Sequence, residues 1–195
     1  PHTVNRIGKS AFENTRLRSF YIQDTVERPS QLLRIEDFAF RNAVELTEIS
    51  LGNFVNHIGL GVFNGCFSLE RIMINQSPST NSEYFVVKEG VLYQKNKDLV
   101  GEIDNFGQIL HTYPAGRIAD VYELPLVGMT GVTHILPYAF YYSNITAIKA
   151  PSTLAFIQEN AIIVPQLVYI EFSSEIPVPT FSRLFGLPME AILGM

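Results

Sequence analysis

The chain has 195 residues, is 47% hydrophobic and carries a net charge of −5, with a pI near 5.4. That is enough apolar material for one continuous core. It lacks the basic stripe expected for nucleic acid or for an anionic membrane surface, and no apolar run approaches the ~20 residues of a membrane-spanning helix. One cysteine, Cys66, excludes a framework of intrachain disulfides. It does not exclude secretion, because a repeat protein with a large core needs no staples.

The chain opens at Pro1, inside a repeat, which leaves room for a leader or an upstream domain. Two landmarks then recur. The first is an apolar hexad: Ile7–Phe12, Ile35–Phe40, Ile58–Phe63, Ile135–Phe140 and, weakly, Ile157–Ile162. The second follows shortly after it as L-x-x-I-x-L or a variant: Leu17/Phe20/Ile22, Leu46/Ile49/Leu51, Leu69/Ile72/Ile74, Ile145/Ile148/Ala150 and Leu167/Ile170/Phe172. The hexads start 28, 23, 77 and 22 residues apart, so the base period is 22–23, with extra residues around Glu27–Gln31 and a long insertion after the third unit. Such a period with L-x-x-I-x-L is in the range of leucine-rich repeats.

In L-x-x-I-x-L the last two apolar residues share one strand face. One unit cannot bury that face alone. Stacked units pair their strands in parallel, ~4.8 Å apart, and merge their apolar sides into one core. The hexad closes the return side of each coil, its small and large residues anchoring in that core, and Gly8 and Gly59 are expected to ease the turn.

The alternation of I-G-x-x-A-F, a short link and L-x-x-I-x-L, over roughly Val4–Ile74 and Val132–Phe172, resembles the BspA-like (Treponema pallidum-type) leucine-rich repeat. The resemblance implies an α/β leucine-rich-repeat solenoid, mostly β, with a parallel strand ladder and a β-hairpin or meander insertion. It also implies a surface or secreted protein, typically bacterial, associated with adhesion and sharing no catalytic residues. The expected organisation is one domain over 1–195: repeats one to three over 1–75, the insertion over 76–130, then repeats four and five with a degenerate unit over 131–195. The handedness expected of the solenoid is right.

Within the insertion, Tyr84–Val87 and Val91–Tyr93 read as a hairpin across Lys88-Glu89-Gly90, with glycine in the positive-φ position. Further turns are expected at Asn96–Asp98 and Asp104–Gly107, flanking strands at Leu99–Ile103 and Gln108–Tyr113. The set reads as a meander projecting from the solenoid edge, with Tyr84, Tyr93 and Tyr113 as a second candidate surface. V-x-x-G-V-L-Y-x-K at Val87–Lys95 and Y-P-A-G at Tyr113–Gly116 also resemble a segment of this family. The ladder is expected to resume at Tyr122–Pro125. Near the C-terminus, Glu175–Pro179 cannot be a central strand, Phe185 suggests a further degenerate unit, and Ala191–Leu193 could add a short strand. No polar cap is evident at either end. The chain is therefore either part of a longer array, or capped by its insertion and its proline-rich end.

No catalytic, cofactor or metal site is expected. Cys66 shares a small-residue position with Thr15, Ala43, Ser143 and Pro165, and no basic neighbour in sequence would activate its thiol. His57 and His134 occupy one repeat position at least one coil apart, about 10 Å, too far to share a zinc with ~2.0–2.1 Å bonds. Nucleotide, metalloprotease and serine-hydrolase motifs are absent. The glycosylation pattern Asn144-Ile145-Thr146 is discounted because Ile145 is a core position.

The remaining candidate is the outward face of the ladder. Its members are Ser19/Tyr21, Glu48/Ser50, Arg71/Met73, Ala147/Lys149 and Tyr169/Glu171, joined by Val121/Glu123 if the insertion adds a strand. Tyr and Arg are enriched at interfaces, so the expected ligand-binding residues are Tyr21, Glu48, Arg71, Met73, Lys149, Tyr169 and Glu171. The function implied is a non-enzymatic binding or adhesion module, extracellular or at the cell surface. Its ligand would be a protein or glycan, host extracellular matrix included, with no nucleic acid and no membrane insertion by this segment. The alternatives are a structural spacer presenting another domain and, least favoured, a carbohydrate-active enzyme.

Overall fold

The computed structural model describes residues 3–22, 30–74, 82–95, 109–127 and 130–173. It is a parallel β solenoid with repeats about 23 residues apart. Each coil has a short return strand, a turn and a ladder strand. Coil 1 holds β1 (Arg6–Ile7) and β2 (Ser19–Tyr21), coil 2 β3 (Arg34–Ile35) and β4 (Glu48–Leu51), and coil 3 β5 (His57–Ile58) and β6 (Arg71–Ile74). A hairpin follows, β7 (Phe85–Lys88) and β8 (Val91–Gln94). Coil 4 holds β9 (Ile109–Thr112) and β10 (Val121–Glu123), and a small antiparallel pair comes next, β11 (Leu126–Val127) with β12 (Thr130–Gly131). Coil 5 holds β13 (His134–Ile135) and β14 (Ala147–Ala150), and coil 6 β15 (Phe156–Ile157) and β16 (Tyr169–Phe172).

The ladder register is the one the apolar spacing dictates. Phe20, Ile49 and Ile72 align across β2, β4 and β6, and Tyr122, Ile148 and Ile170 across β10, β14 and β16. Leu46, Ile49, Leu51, Leu69 and Ile72 are fully buried. On the turn side the hexad backbones are also laddered: Phe12 N donates to Ala39 O at 2.7 Å and Phe40 N to Val62 O at 3.0 Å. This stacks the Phe12 and Phe40 rings at 5.1 Å, and Phe40 on Phe63 at 5.8 Å. Cys66 lies in this interior, its thiol donating to Phe40 O at 3.0 Å, and burial pushes it up to about 12.

The turns need glycine at Gly59, where a Cβ would collide with Asp37 N, and not at Gly8, which has nothing within 4 Å. Neither takes up left-handed backbone. That conformation falls at two other points of the turns in coils 1, 2, 3 and 5, Ser10/Asn14, Phe38/Asn42, Gly61/Gly65 and Tyr138/Tyr142, and at Asn160 in coil 6. Asparagine and glycine tolerate it; Phe38, Tyr138 and Tyr142 do not do so readily.

The insertion also differs from a projecting meander. β9 pairs in parallel with β13, Leu110 opposite Ile135, so it takes a place in the return sheet. Tyr113 N donates to Ala139 O at 2.8 Å, as the hexad phenylalanines do in other coils, and its ring stacks on Phe140 at 5.4 Å. Residues 109–127 are therefore a coil in which Leu110-x-x-Tyr113 replaces the hexad, two residues shorter. Tyr93 and Tyr113 are buried and Tyr84 half-buried, because each packs into the core. The β7–β8 hairpin alternates in the same way. Phe85, Val87 and Leu92 face the core of coils 1–3, and Val86, Val91 and Tyr93 that of coils 4–6. It is a wedge between coils 3 and 4. Its turn has Glu89 and Gly90 at φ 51° and 83°, and Ile72 N donates to Gly90 O at 2.9 Å. The ladder is thereby split into two three-stranded halves, β2-β4-β6 and β10-β14-β16.

Among the described residues there is no helix, and hence none long and apolar enough to cross a membrane. The expectations for Asn96–Asp98, Leu99–Ile103, Asp104–Gly107, Glu175–Pro179, Phe185 and Ala191–Leu193 lie outside the described residues.

Candidate functional site

The first half of the ribbon converges on Glu48. Tyr21 Oη donates to its Oε1, and Arg71 Nε and Nη2 donate to its Oε2 at 2.9 and 2.5 Å. One pair further along, register places Met73 on one side of Ser50 and Tyr21 on the other. In the second half Tyr169 flanks Ala147, and Lys149 Nζ lies 3.8 Å from Glu171 Oε2. Tyr21, Arg71, Lys149, Tyr169 and Glu171 are exposed. Ser50 and Ala147 are not. Each is a small residue in the middle strand of its half, covered by larger neighbours, Tyr21 and Met73 for Ser50 and Val121 and Tyr169 for Ala147. The seven expected residues thus form two groups, Tyr21, Glu48, Arg71 and Met73 on one side of the wedge and Lys149, Tyr169 and Glu171 on the other.

Where the ladder is interrupted, a cleft of about 500 Å³ opens. The wedge is its floor, through Val87, Glu89 and Gly90; β6 is one wall, through Arg71, Met73 and Ile74; Arg117 of coil 4 is the other. Gly90 is required here for two reasons. Its φ is positive, and a Cβ would sit 3.0 Å from Arg71 Cβ. Arg117 Nη1 donates to Glu89 O, and its Nη2 lies 3.5 Å from Glu89 Oε2. The cleft therefore combines an apolar stretch, Met73, Ile74 and Val87, with two guanidinium groups held by Glu48 and Glu89. In each pair one partner is exposed, Arg71 or Glu89, and the other partly covered, Glu48 or Arg117, so each guanidinium is positioned while part of the pair still faces solvent.

The return side carries a second charged array. Glu36 accepts from Arg34 Nε at 3.2 Å and lies 3.0 Å from Arg6 Nε and 4.0 Å from His57 Nε2. The Arg34 hydrogen bond leads the effects that hold its carboxyl below the ordinary range. His57 aligns with Arg34 and His134 with Ile109, in two different sheets, and no metal-holding group of His, Cys, Asp or Glu occurs among the described residues. His111 is buried.

Two features escaped the sequence. Arg117 follows Y-P-A-G in a coil whose shortened hexad hid its register. The other is an aromatic cluster on the turn side: Phe38 with Tyr138 at 6.2 Å, Phe67 with Tyr142 at 6.1 Å, and Tyr141 at 4.9 Å from Tyr142. Its one sequence signal is an aromatic residue at the fourth hexad position in two coils, where others have Ser10, Gly61 or Asn160.

Among solved structures the chain is similar to a leucine rich cell surface protein from Faecalibacterium prausnitzii, at 24% identity and TM-score 0.61 over 88% of this chain and 52% of that one. It is also similar to a leucine-rich repeat protein from Eubacterium ventriosum, at 19% identity and TM-score 0.57 over 94% and 57%. A third is the pneumococcal vaccine antigen PcpA, at 19% identity and TM-score 0.59 over 89% and 44%. At these identities the likeness is one of fold, and the chain spans about half the length of those proteins. No curated protein matches it. The family model for the BspA type leucine rich repeat region matches in six copies over residues 5–89 and 126–182, leaving out the stretch that holds the shortened hexad. The chain belongs to the BspA-type leucine-rich repeat family.

Proposed function

We propose that this chain is a non-enzymatic binding module of a cell-surface or secreted protein, and that it captures a protein or glycan ligand, host matrix included, on the ladder face. The observation that carries the reading is the cleft at the split ladder. It joins the Tyr21–Glu48–Arg71 network to Met73, Ile74, Val87 and Arg117 in one concave surface. Concave sites with an apolar lining and a few placed polar groups are where ligands bind, and Arg and Tyr are the residues that most often dominate such contacts. The cell-surface description of the Faecalibacterium protein supports the location. The second ribbon group, Lys149, Tyr169 and Glu171, would extend the contact for a large ligand.

The test is capture of the purified domain on arrays of matrix proteins and glycans, followed by Arg71→Ala, Met73→Ser, Arg117→Ala and Tyr169→Ala. The reading expects loss of at least tenfold in affinity for the three cleft variants, with thermal midpoints close to wild type. Full binding by all three cleft variants, with loss only for Tyr169→Ala, would move the site to the second half of the ladder. The spacer alternative is favoured by the pairing of ribbon charges with one another, and it predicts that neither array captures the domain.

A further inference from the structure

We infer that Phe38 and Tyr138 form a clasp that sets the angle between two three-coil blocks. The interior divides into two clusters, one gathering coils 1–3 with Phe85 and Leu92 of the hairpin, the other coils 4–6 with Val91 and Tyr93. The hairpin lies between them, β8 pairing with return strand β9 and Gly90 O accepting from Ile72 N on the ladder. Coils 3 and 4 also meet directly, Gly116 N donating to Leu69 O at 2.8 Å and His111 Nε2 lying 3.0 Å from Ile58 O. These contacts all stand at the seam itself, so the angle across it is set by a contact that reaches past the seam on the turn side.

The two rings stand 6.2 Å apart at 61°, an edge-to-face arrangement that aromatic pairs favour. They come from coils 2 and 5. Three rungs at ~4.8 Å separate those backbones by about 14 Å, so the rings meet only because the rungs between them are empty at this position. Coil 3 has Gly61 there, and a Cβ on it would lie 2.5 Å from Phe38 Cε1. Coil 4 lacks the position, having lost two residues from its hexad. Phe38 and Tyr138 reach this geometry from φ values of 57° and 65°, a region that bulky residues rarely enter. Coils 1 and 6 fill the same position with Ser10 and Asn160, which make no such contact in the ring pairs observed. Beside the clasp, Phe67 of coil 3 meets Tyr142 of coil 5 at 6.1 Å and 64°. Both pairs thus join the first block to the second. The cleft draws its walls from different blocks, Arg71, Met73 and Ile74 from the first and Arg117 from the second, so its width follows from the same angle whatever ligand it takes.

The test replaces the rings without disturbing the backbone, using the residue that coil 6 carries at this position: Phe38→Asn and Tyr138→Asn, singly and together. Spin labels on Lys9→Cys and Glu159→Cys report the separation of the end coils. Both sites are exposed, and Cys66 is buried and will not label. The clasp expects a narrow distance distribution in the parent chain, a broadened and shifted one in the double variant, and a narrow one in Tyr138→Phe. It also expects the unfolding constants of the four-member cycle to show coupling of roughly 2- to 13-fold, the size of an aromatic pair. An unchanged distribution in the double variant overturns the inference, as does coupling indistinguishable from one. Should the double variant not fold, Tyr138→Asn alone carries the distance test with the same two readings.

Discussion

His111 Nε2 lies 3.0 Å from the carbonyl oxygen of Ile58, tying the shortened coil to coil 3 beside the wedge. The carbonyl can only accept, so Nε2 carries the proton, and Nδ1 accepts from Thr112 Oγ1 at 2.8 Å. The ring also packs edge-on to Phe85 at 6.1 Å. Burial in this setting lowers the imidazole to about 4, against an ordinary value of 6.5. The unfolded chain therefore binds a proton between pH 6.5 and 4 that the folded chain refuses. Stability is complete above 6.5 and falls as pH drops through that window, by about 3 kcal/mol in all. Urea midpoints measured from pH 7.5 to 4.5 should show this slope. His111→Gln keeps a donor for Ile58 and removes this titration, so its profile should be clearly shallower over the same range, the remaining slope coming from His134, whose imidazole burial also lowers. Glu13 and Glu36, whose carboxyls are lowered by their hydrogen bonds, contribute only at lower pH. A parent profile no steeper than that of His111→Gln would exclude the buried imidazole as the cause.

Tyr93 and Tyr122 hydrogen-bond through their hydroxyls in the second core. One is on the wedge and the other on the first ladder strand beyond it, so this contact seats the wedge against coil 4. Either Tyr→Phe change alone leaves the partner hydroxyl buried with nothing to bond, a cost of about 1–3 kcal/mol. The double change removes both and should cost less than the sum of the singles. Chemical denaturation of the four-member cycle measures it, and strictly additive losses would mean that the two hydroxyls do not depend on each other.

The ladder was legible from sequence because its code is local. Leu69, Ile72 and Ile74 sit at strand spacing, and stacking repeats that spacing at each coil. Coil 4 was legible at its ladder end, where the strand expected at Tyr122–Pro125 is β10, and not at its return end, where the hexad is altered. Leu110 and Tyr113 are three apart where Ile and Phe are five apart elsewhere, so the period vanished and buried Tyr113, at the end of an expected strand, looked like part of an exposed insertion. The wedge read correctly as a hairpin and wrongly as a projection. Alternation says that a strand has two faces, and it does not say that both are covered. Ser50 and Ala147 failed for a similar reason, since outward-facing small residues are hidden by their neighbours across the strands. Glycine marked the left-handed position of the hairpin turn correctly, at Gly90, but it could not reveal those of the coil turns, where Phe38, Tyr138 and Tyr142 take the same backbone.

Ile72 and Glu70 test the register directly. Ile72 is fully buried at the centre of the first half-ladder, and Glu70 is exposed one step before β6. Ile72→Ala should cost about 2–5 kcal/mol, as core truncations do, and Glu70→Ala within about 0.5 kcal/mol. Equal costs in thermal or urea unfolding would contradict the inward and outward assignment of these two residues.

Gly8 and Gly61 make opposite predictions for one substitution. Nothing lies within 4 Å of where a Cβ on Gly8 would point, and its backbone is outside the left-handed region. Gly8→Ala restricts the unfolded chain without straining the folded one, and should stabilise by up to about 0.4–1 kcal/mol. Gly61 has φ +59°, and its Cβ would press on the Phe38 ring. Alanine there must strain the backbone and push the ring from its place between coils 3 and 5. The loss should exceed about 1 kcal/mol. Differential scanning calorimetry of the two variants gives the signs. If Gly61→Ala were as stable as the parent, Phe38 would have to shift freely, and the ring could not be holding the blocks together.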